Sequence, residues 1–201
     1  MTDLMTRSAT NRRMGPVGSA QWLAMLDAAE ATLLEEGYGA LTSRRIAERV
    51  GVKQRLVYYY FQTMDELIVE TFRQMAIREL ERMRRTLLTD LPLRELWDVC
   101  ILTTDSRVTS EFMALANRSD CLRQEVTSFI EESRAIQVKA IRSSLARANT
   151  VPPIDPDGLA LLATGVALAM TRESALGVSS GHGAILSMIG KFLDKVEPLV
   201  G

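Results

Sequence analysis

Apolar residues recur at helical spacing along almost the whole chain of 201 residues. The first such segment predicts a helix over residues 20–36, because four apolar side chains fall on one face of a 3.6-residue period: Trp22, Leu26, Ala29 and Leu33. Gly37 follows, and glycine readily adopts the left-handed conformation that ends many helices. Strand-like alternation never extends beyond a few residues, so we expect an all-α fold of about nine helices.

Two short helices follow the first. Thr42 is a suitable N-cap for the second helix, and Gly51 ends it. The third helix begins after Val52 and ends near residue 60, with Val57 and Phe61 one turn apart on its inner side. Two short helices that are joined by a glycine-containing turn and follow a longer helix are typical of a helix-turn-helix unit.

A larger helical body is predicted beyond this unit. Thr63 and Glu66 have the spacing of a capping box and open a fourth helix that reaches about residue 85. Asp155 and Pro156 form an N-cap and a first helical position for a late helix. The pattern places the later helices at residues 93–105, 109–117, 120–148, 156–176 and 184–196.

Charge is segregated along the chain although the whole sequence is balanced, with a formal net charge of −1. Residues 42–62 contain Glu48 as their only acid and sum to +4, with five basic residues: Arg44, Arg45, Arg49, Lys53 and Arg55. A local basic cluster in a neutral protein indicates a candidate surface for an anionic partner.

The third helix carries side chains suited to reading double-stranded DNA. If Val57 and Phe61 face inward, Arg55 and Tyr59 lie on the opposite side, with Tyr58 beside them. Arginine bonds bidentately to guanine in the major groove and glutamine to adenine, while tyrosine hydroxyls bond phosphate oxygens. The alternative, in which the tyrosines are core and the basic residues a solvated face, fits Tyr60 better than the others.

These residues resemble the DNA-binding region of the tetracycline-repressor (TetR) family of bacterial regulators. The resemblance covers residues 28–67 and rests on "LDAAEATLLEEGYGALTSRRIAERVGV" followed by "LVYYYF" and "TMDEL". It implies that the first three helices bind DNA, that the fourth links, and that the remaining helices form a ligand pocket and a dimer interface. The expected parts are a flexible tail at residues 1–18, a helix-turn-helix domain at residues 19–63, a linking helix at residues 64–85, and a ligand-binding and dimerisation domain at residues 86–201.

The resemblance also implies roles for individual residues. Base-reading positions match Arg44, Gln54, Arg55 and Tyr58. Phosphate-contacting positions match Thr42, Ser43, Lys53, Tyr59, Tyr60 and Thr63. Two residues depart from the family pattern: Met64 stands where lysine is usual, so Lys53 or Thr63 would have to supply that phosphate contact, and Tyr60 replaces a frequent histidine.

A homodimer is expected as well, because a single recognition helix covers few base pairs whereas a two-fold dimer reads two half-sites. A stripe of small residues in the late apolar helix could admit a partner helix or could equally be internal core: Ala160, Ala163, Thr164, Ala167 and Thr171. The ten methionines, among them Met75, Met83, Met113 and Met170, could line an adaptable pocket or be ordinary core.

The remaining chemistry is sparse. Cys100 and Cys121 have no metal-ligand spacing and are interpreted as buried small hydrophobes in a reducing compartment. His182 is the only histidine, so a helix terminus is a better interpretation than a metal site. The longest apolar run, residues 159–170, is too short to cross a bilayer, where about 20 residues are needed. We therefore expect a cytoplasmic protein without cofactor or metal.

The function expected from the sequence is a transcriptional regulator, a repressor that leaves a palindromic DNA operator when a small apolar effector binds. An activator, or a regulator without a small effector, has the same sequence features. A helical-bundle enzyme finds no support, because the sequence has no Glu-x-x-His pair and no phosphate-binding glycine loop. The balanced charge argues against a nonspecific DNA binder, whose affinity would rest on phosphate neutralisation.

Overall fold

A computed structural model of the chain describes residues 16–102, 106–152 and 154–199. Within these ranges the chain forms nine α-helices and one short 3-10 turn, Tyr38–Ala40. The helices are α1 (Ala20–Glu36), α2 (Ser43–Val50), α3 (Gln54–Tyr60), α4 (Met64–Thr86), α5 (Pro92–Leu102), α6 (Ser106–Ala116), α7 (Asp120–Arg147), α8 (Pro156–Ala175) and α9 (His182–Val196). The all-α prediction is confirmed, whereas most of the tail predicted over residues 1–18 lies outside the described ranges.

The chain divides into two compact units, Met1–Thr71 and Phe72–Gly201. The first contains α1, α2, α3 and the first two turns of α4, and the second contains the rest of α4 and the helices that follow. Helix α4 is therefore the element in which one unit ends and the next begins.

Helix α1 presents the predicted face to the core of the first unit. The four residues of the periodic stripe are buried, together with Met25. Ser19 caps the helix, its hydroxyl accepting from the Trp22 backbone N–H at 3.3 Å. The prediction for Gly37 was half wrong: its φ of 78° is positive, but a ψ of 174° places it outside the left-handed helical region. Its extended ψ leads the chain into the 3-10 turn instead, a turn absent from the prediction.

The start of α4 departs slightly from the predicted capping box. Thr63 accepts from the Glu66 backbone N–H at 3.0 Å, as expected. The Glu66 carboxylate reaches back to the backbone N–H of Gln62 at 2.8 Å, one residue beyond the usual partner. Thr63 and Glu66 nevertheless satisfy two exposed backbone donors and begin the helix at Met64.

The core of the second unit brings together residues of α4, α5, α7, α8 and α9. Two small residues of α8 belong to the core, since Ala160 and Ala167 are 0% and 2% exposed in the single chain. Thr164 is partly buried and donates to the side-chain oxygen of Gln137 on α7 at 3.1 Å. The core interpretation therefore holds for Ala160 and Ala167, whereas Ala163 and Thr171 are partly exposed and their interpretation as a partner-facing surface stays a prediction.

The two cysteines occupy different surroundings. Cys121 is exposed, so its interpretation as a buried small hydrophobe is wrong. Cys100 is partly buried, and burial together with the nearby Glu79 carboxylate raises the pKa of its thiol to about 11. Cys100 therefore remains a protonated, weakly nucleophilic thiol at neutral pH.

His182 begins α9, as its interpretation as a helix terminus predicts. Its Nε2 lies 2.9 Å from the Glu173 carboxylate on α8, so the pair ties the start of one helix to the end of the other. The methionines are mixed: Met83 and Met170 are buried in the core, whereas Met113 is 38% exposed.

A buried carboxylate links the end of α9 to the start of α5 in the second unit. Glu197, only 3% exposed, follows α9 and accepts from the backbone N–H groups of Leu93 and Arg94 at the start of α5, both at 3.0 Å. The same carboxylate accepts from the Ser144 hydroxyl at 2.6 Å, and an Arg147 nitrogen lies 3.6 Å away. Glu197 therefore caps α5 across a separation of about 100 residues and satisfies donors that water does not reach.

Replacing Glu197 with alanine should destabilise the second unit strongly. The change leaves two amide N–H groups and the Ser144 hydroxyl buried without their acceptor, and we expect a loss of about 3 kcal/mol in the free energy of unfolding. Urea unfolding followed by circular dichroism measures it. Glu131→Ala, at an exposed position of α7, is the control and should change stability by about 0.5 kcal/mol or less. Equal unfolding midpoints for the two variants would contradict the capping role.

Candidate nucleic-acid interface

Helices α2 and α3 are held close together by a short turn. Thr42 caps α2, its hydroxyl accepting from the Arg45 backbone N–H at 3.2 Å. Gly51 ends the helix in the left-handed conformation, with φ 74° and ψ 33°, which a residue with a side chain adopts only at a cost. Helix α3 then begins at Gln54, so the turn between the two helices spans only three residues, 51–53.

The inner side of α3 decides which of its residues face outward. Val57 and Phe61 are each 1% exposed, and the Phe61 ring stacks on Trp22 of α1 with the centroids 5.9 Å apart. Arg55 is consequently exposed, and Tyr58 and Tyr59 are 48% and 38% exposed.

Most of the predicted site residues are exposed. Exposed positions are held by Thr42, Arg44, Lys53, Gln54, Arg55, Tyr58, Tyr59 and Thr63. We call the exposed side chains of Arg44, Lys53, Gln54, Arg55, Tyr58 and Tyr59 the recognition face. Tyr60 is only partly exposed and meets Tyr59 edge to face at 5.3 Å, in line with its partial orientation toward the core.

Two of the five basic residues counted in the sequence do not serve the recognition face. Arg45 binds Glu36 with two nitrogens, at 3.0 and 2.7 Å. Arg49 binds Glu36 at 2.6 Å and also Glu35. The two carboxylates belong to the last turn of α1, so these pairs fasten α2 to α1. When Glu35 and Glu36 are included, the net charge of +4 assigned to residues 42–62 falls to +2.

The basic charge that stays on the recognition face comes from three residues. Arg44 is 81% exposed and pairs with Glu48 one turn along α2 at 2.9 Å, an exposed contact that a phosphate or a base can displace. Lys53 and Arg55 have no carboxylate partner among the described residues. The positive potential is therefore concentrated at the start of α3, next to Gln54.

Ser43 is placed differently from the other predicted site residues. It is 4% exposed and lies between α2 and α3. The Gln54 side-chain N–H donates to the Ser43 hydroxyl at 2.8 Å, and that hydroxyl donates to the Tyr58 oxygen at 3.0 Å. The side chain of Ser43 thus connects two residues of the recognition face, a role that the sequence analysis did not predict.

The acids of α1 are functional neighbours that the sequence analysis missed. Glu35 and Glu36 stand in the last turn of a helix, where the helix dipole disfavours negative charge. Two adjacent carboxylates in that place are a signal that basic partners lie elsewhere in the fold. The hydrogen bonds from Arg45, then those from Arg49, lower the pKa of Glu36 from its ordinary value.

Comparison with known proteins agrees with this geometry. Residues 25–71, which include α2, α3 and the turn between them, match the model of a family described as bacterial regulatory proteins, tetR family. Over this segment of the chain, the sequence is therefore similar to the tetR family. No match was found among curated proteins.

Solved structures share the fold of this chain over most of its length. A TetR transcription regulator from Haloarcula marismortui matches with a TM-score of 0.71 and 19% identity, covering 88% of this chain and 97% of the other. A TetR-family transcriptional regulator from Rhodococcus sp. matches with a TM-score of 0.68 and 18% identity, over 88% and 98%. A transcriptional regulator from Saccharomonospora viridis, crystallised with choline, matches with 0.70 and 15%, over 79% and 87%.

The described part of the chain offers neither a metal site nor a membrane span. Nowhere in residues 16–102, 106–152 and 154–199 do three or more His, Cys, Asp or Glu side chains cluster as metal ligands would. Over the same ranges, every helix is too short or too polar to cross a bilayer.

The contact between α1 and α2 should weaken in acid. The pKa of Glu36 is lower in the folded protein than the ordinary 4.5, so its contribution to stability is present above the unfolded-state pKa and is lost as the pH falls through the folded-state pKa. The melting temperature of the parent should therefore exceed that of Glu36→Gln at neutral pH and converge with it in acid. Glu81→Gln, at an exposed position of α4, is the control. A difference that does not change with pH would contradict the ion-pair interpretation.

Proposed function

We propose that this protein is a tetR-family regulator: a cytoplasmic repressor that binds a palindromic operator as a homodimer and leaves it when a small effector binds. The observation that supports the proposal is the recognition face, in which Arg44, Gln54, Arg55 and Tyr58 are all exposed on the adjacent helices α2 and α3.

The chemistry of the recognition face fits base reading in the major groove. Arg44 and Arg55 each offer a guanidinium fork for guanine, and Gln54 offers an amide for adenine. The phosphate contacts proposed around them come from Thr42, Lys53, Tyr59, Tyr60 and Thr63, with the start of α2 supplying unpaired backbone N–H groups beside Thr42. Tyr58 is exposed enough for its hydroxyl to reach either a base edge or a phosphate.

Dimerisation is proposed through the outward faces of α8 and α9. With two small residues of α8 in the core, its exposed side carries Leu161 and Leu162, which are 63% and 52% exposed. Helix α9 exposes Leu186 and Met188, at 42% and 53%. Large apolar side chains grouped on an exposed surface favour an interface over free solvent. A two-fold dimer would place two recognition faces on half-sites about 34–36 Å apart, or a multiple of that distance.

The effector is proposed to bind within the second unit. The regulator from Saccharomonospora viridis with the same fold was crystallised with choline, a small cation. This chain has an aromatic cluster in the second unit, in which Phe72 meets Phe112 at 5.1 Å and Phe129 at 5.9 Å, both edge to face. Aromatic faces accept hydrocarbon groups and quaternary ammonium groups alike. Because Phe72 belongs to α4, an effector beside this cluster would act on the helix that continues from the DNA-binding unit.

Release from DNA is then a coupling between two sites. An effector that binds better to a conformation with displaced recognition faces lowers operator affinity in proportion to that preference. A tenfold loss of affinity needs only about 1.4 kcal/mol. Titration of operator complexes with candidate effectors tests this step, and an effector that saturates the protein without changing operator affinity would contradict it.

Arg55→Ala should relax base preference at one symmetric pair of operator positions. We expect selection from random duplex DNA to recover a short palindrome with the parent, and discrimination at the affected pair to fall about tenfold in the variant. Arg118→Ala is the control, because Arg118 is exposed but lies in the second unit, in the turn after α6. If the parent, Arg55→Ala and Arg118→Ala all select the same preference, Arg55 does not read a base. If the parent selects no palindrome, the operator proposal is wrong.

Replacing both Leu161 and Leu162 with glutamate should convert the dimer into monomers. Four charges would have to be buried across the two-fold axis, which the interface cannot solvate. Sedimentation velocity should give the mass of one chain, and operator affinity should fall about 100-fold or more because the two half-sites are no longer bound together. Leu88→Glu, at a position 85% exposed outside both helices, should leave the dimer intact. A dimer that survives the double substitution would place the interface elsewhere.

A further inference from the structure

The hydrogen bonds of Ser43 determine how the Gln54 amide is oriented. The Ser43 hydroxyl has a single proton, and it is donated to the Tyr58 oxygen at 3.0 Å. Toward Gln54 the same oxygen can therefore only accept, and it does so from the side-chain N–H at 2.8 Å. In this arrangement the amide nitrogen of Gln54 faces Ser43, and the end of the amide that carries oxygen is left for another partner.

This orientation matters because a glutamine amide has two chemically different ends. With one N–H bound to Ser43, Gln54 keeps its oxygen as an acceptor and its second N–H as a donor. An acceptor beside a donor is the pattern that adenine meets with N6 and N7 in the major groove. A free amide can rotate by a half-turn and exchange the two ends, so that it can satisfy other bases as well.

The same hydrogen bonds also orient the hydroxyl group of Tyr58. Because its oxygen accepts from Ser43, the phenol keeps its own proton for a partner outside the domain. Tyr58 is 48% exposed, whereas Ser43 is 4% exposed, so the chain runs from the buried hydroxyl to the surface. Its members come from two helices and lie 11 and 15 residues from Ser43 in the sequence.

We propose that Ser43 is a positioning residue that sets the base preference of Gln54 and the donor direction of Tyr58, rather than a residue that contacts phosphate with its side chain. The inference rests on the proposed function, since it requires that Gln54 reads a base. Its burial and its two bonds inside the domain leave the hydroxyl no proton to donate to a phosphate oxygen.

The test compares the base preference of the parent with those of Ser43→Ala, Ser43→Thr and Gln54→Ala, by selection from random duplex DNA. Ser43→Ala should relax preference at the base pair that Gln54→Ala relaxes, by about tenfold, and leave the pair read by Arg55 unchanged. Ser43→Thr keeps a hydroxyl and should retain the parental preference. The double variant Ser43→Ala, Gln54→Ala should lose no more discrimination than Gln54→Ala, because both changes remove the same interaction.

Tyr58→Phe supplies a second route to the same answer from an exposed position that disturbs packing little. Without the Tyr58 oxygen, the Ser43 proton is free to turn toward Gln54, so preference should also relax at the pair that Gln54 reads. Melting temperatures near the parental value identify the folded variants in both series.

The outcomes distinguish a failure of the proposed base-reading function from a failure of the positioning role of Ser43. If the parent selects no palindrome, or if Gln54→Ala changes no preference, the proposed base-reading function of Gln54 fails. If Gln54→Ala relaxes a base pair while folded Ser43→Ala and Tyr58→Phe keep the parental preference there, the positioning role is overturned. Uniformly weaker binding by Ser43→Ala with unchanged preference would instead identify Ser43 as a phosphate contact and also overturn it.

Discussion

The first unit depends on the burial of Val57 and Phe61. Helix α3 is only seven residues long, too short to be stable alone, and it keeps its helical form because these two side chains insert into the core beside Trp22. Their burial also fixes the rotation of the helix about its axis. Every residue proposed to read DNA from α3 is exposed as a consequence of that rotation, so a packing constraint inside the unit decides the chemistry that the outside can offer.

The basic residues of the same unit fall into two groups, one that stabilises the fold and one that remains on the recognition face. Arg45 and Arg49 hold α2 against α1 through the two glutamates, whereas Arg44, Lys53 and Arg55 remain on the recognition face. Had all five basic charges faced the duplex, phosphate neutralisation would have contributed more to affinity and sequence reading correspondingly less. This separation of roles suits the proposed function, in which a regulator must prefer one site over the excess of other DNA.

The helices could be predicted from the sequence because periodicity, caps and glycines are local signals, and the predicted ends of α1 agree with the structure to the residue. The residues of the recognition face were likewise identified, because inward Val57 and Phe61 imply an outward Arg55. What could not be predicted depends on contacts between distant residues. A stripe of small residues in α8 fits α7 of the same chain as well as it fits a partner, and the bonds of Ser43 join residues of different helices. Neither the packing partner of the α8 stripe nor the hydrogen bonds of Ser43 can be predicted from the neighbouring residues in the sequence.

Glu197 has a consequence for the order in which the protein forms during synthesis. Its carboxylate completes the start of α5, yet the two are about 100 residues apart in the chain. The first unit relies on contacts between neighbouring helices and has every residue it needs soon after Thr71 is made, so it can fold while translation continues. The second unit cannot complete its fold at that stage, because α5 has no cap until Glu197 has left the ribosome. We therefore expect the first unit of the nascent chain to fold well before the second unit is complete.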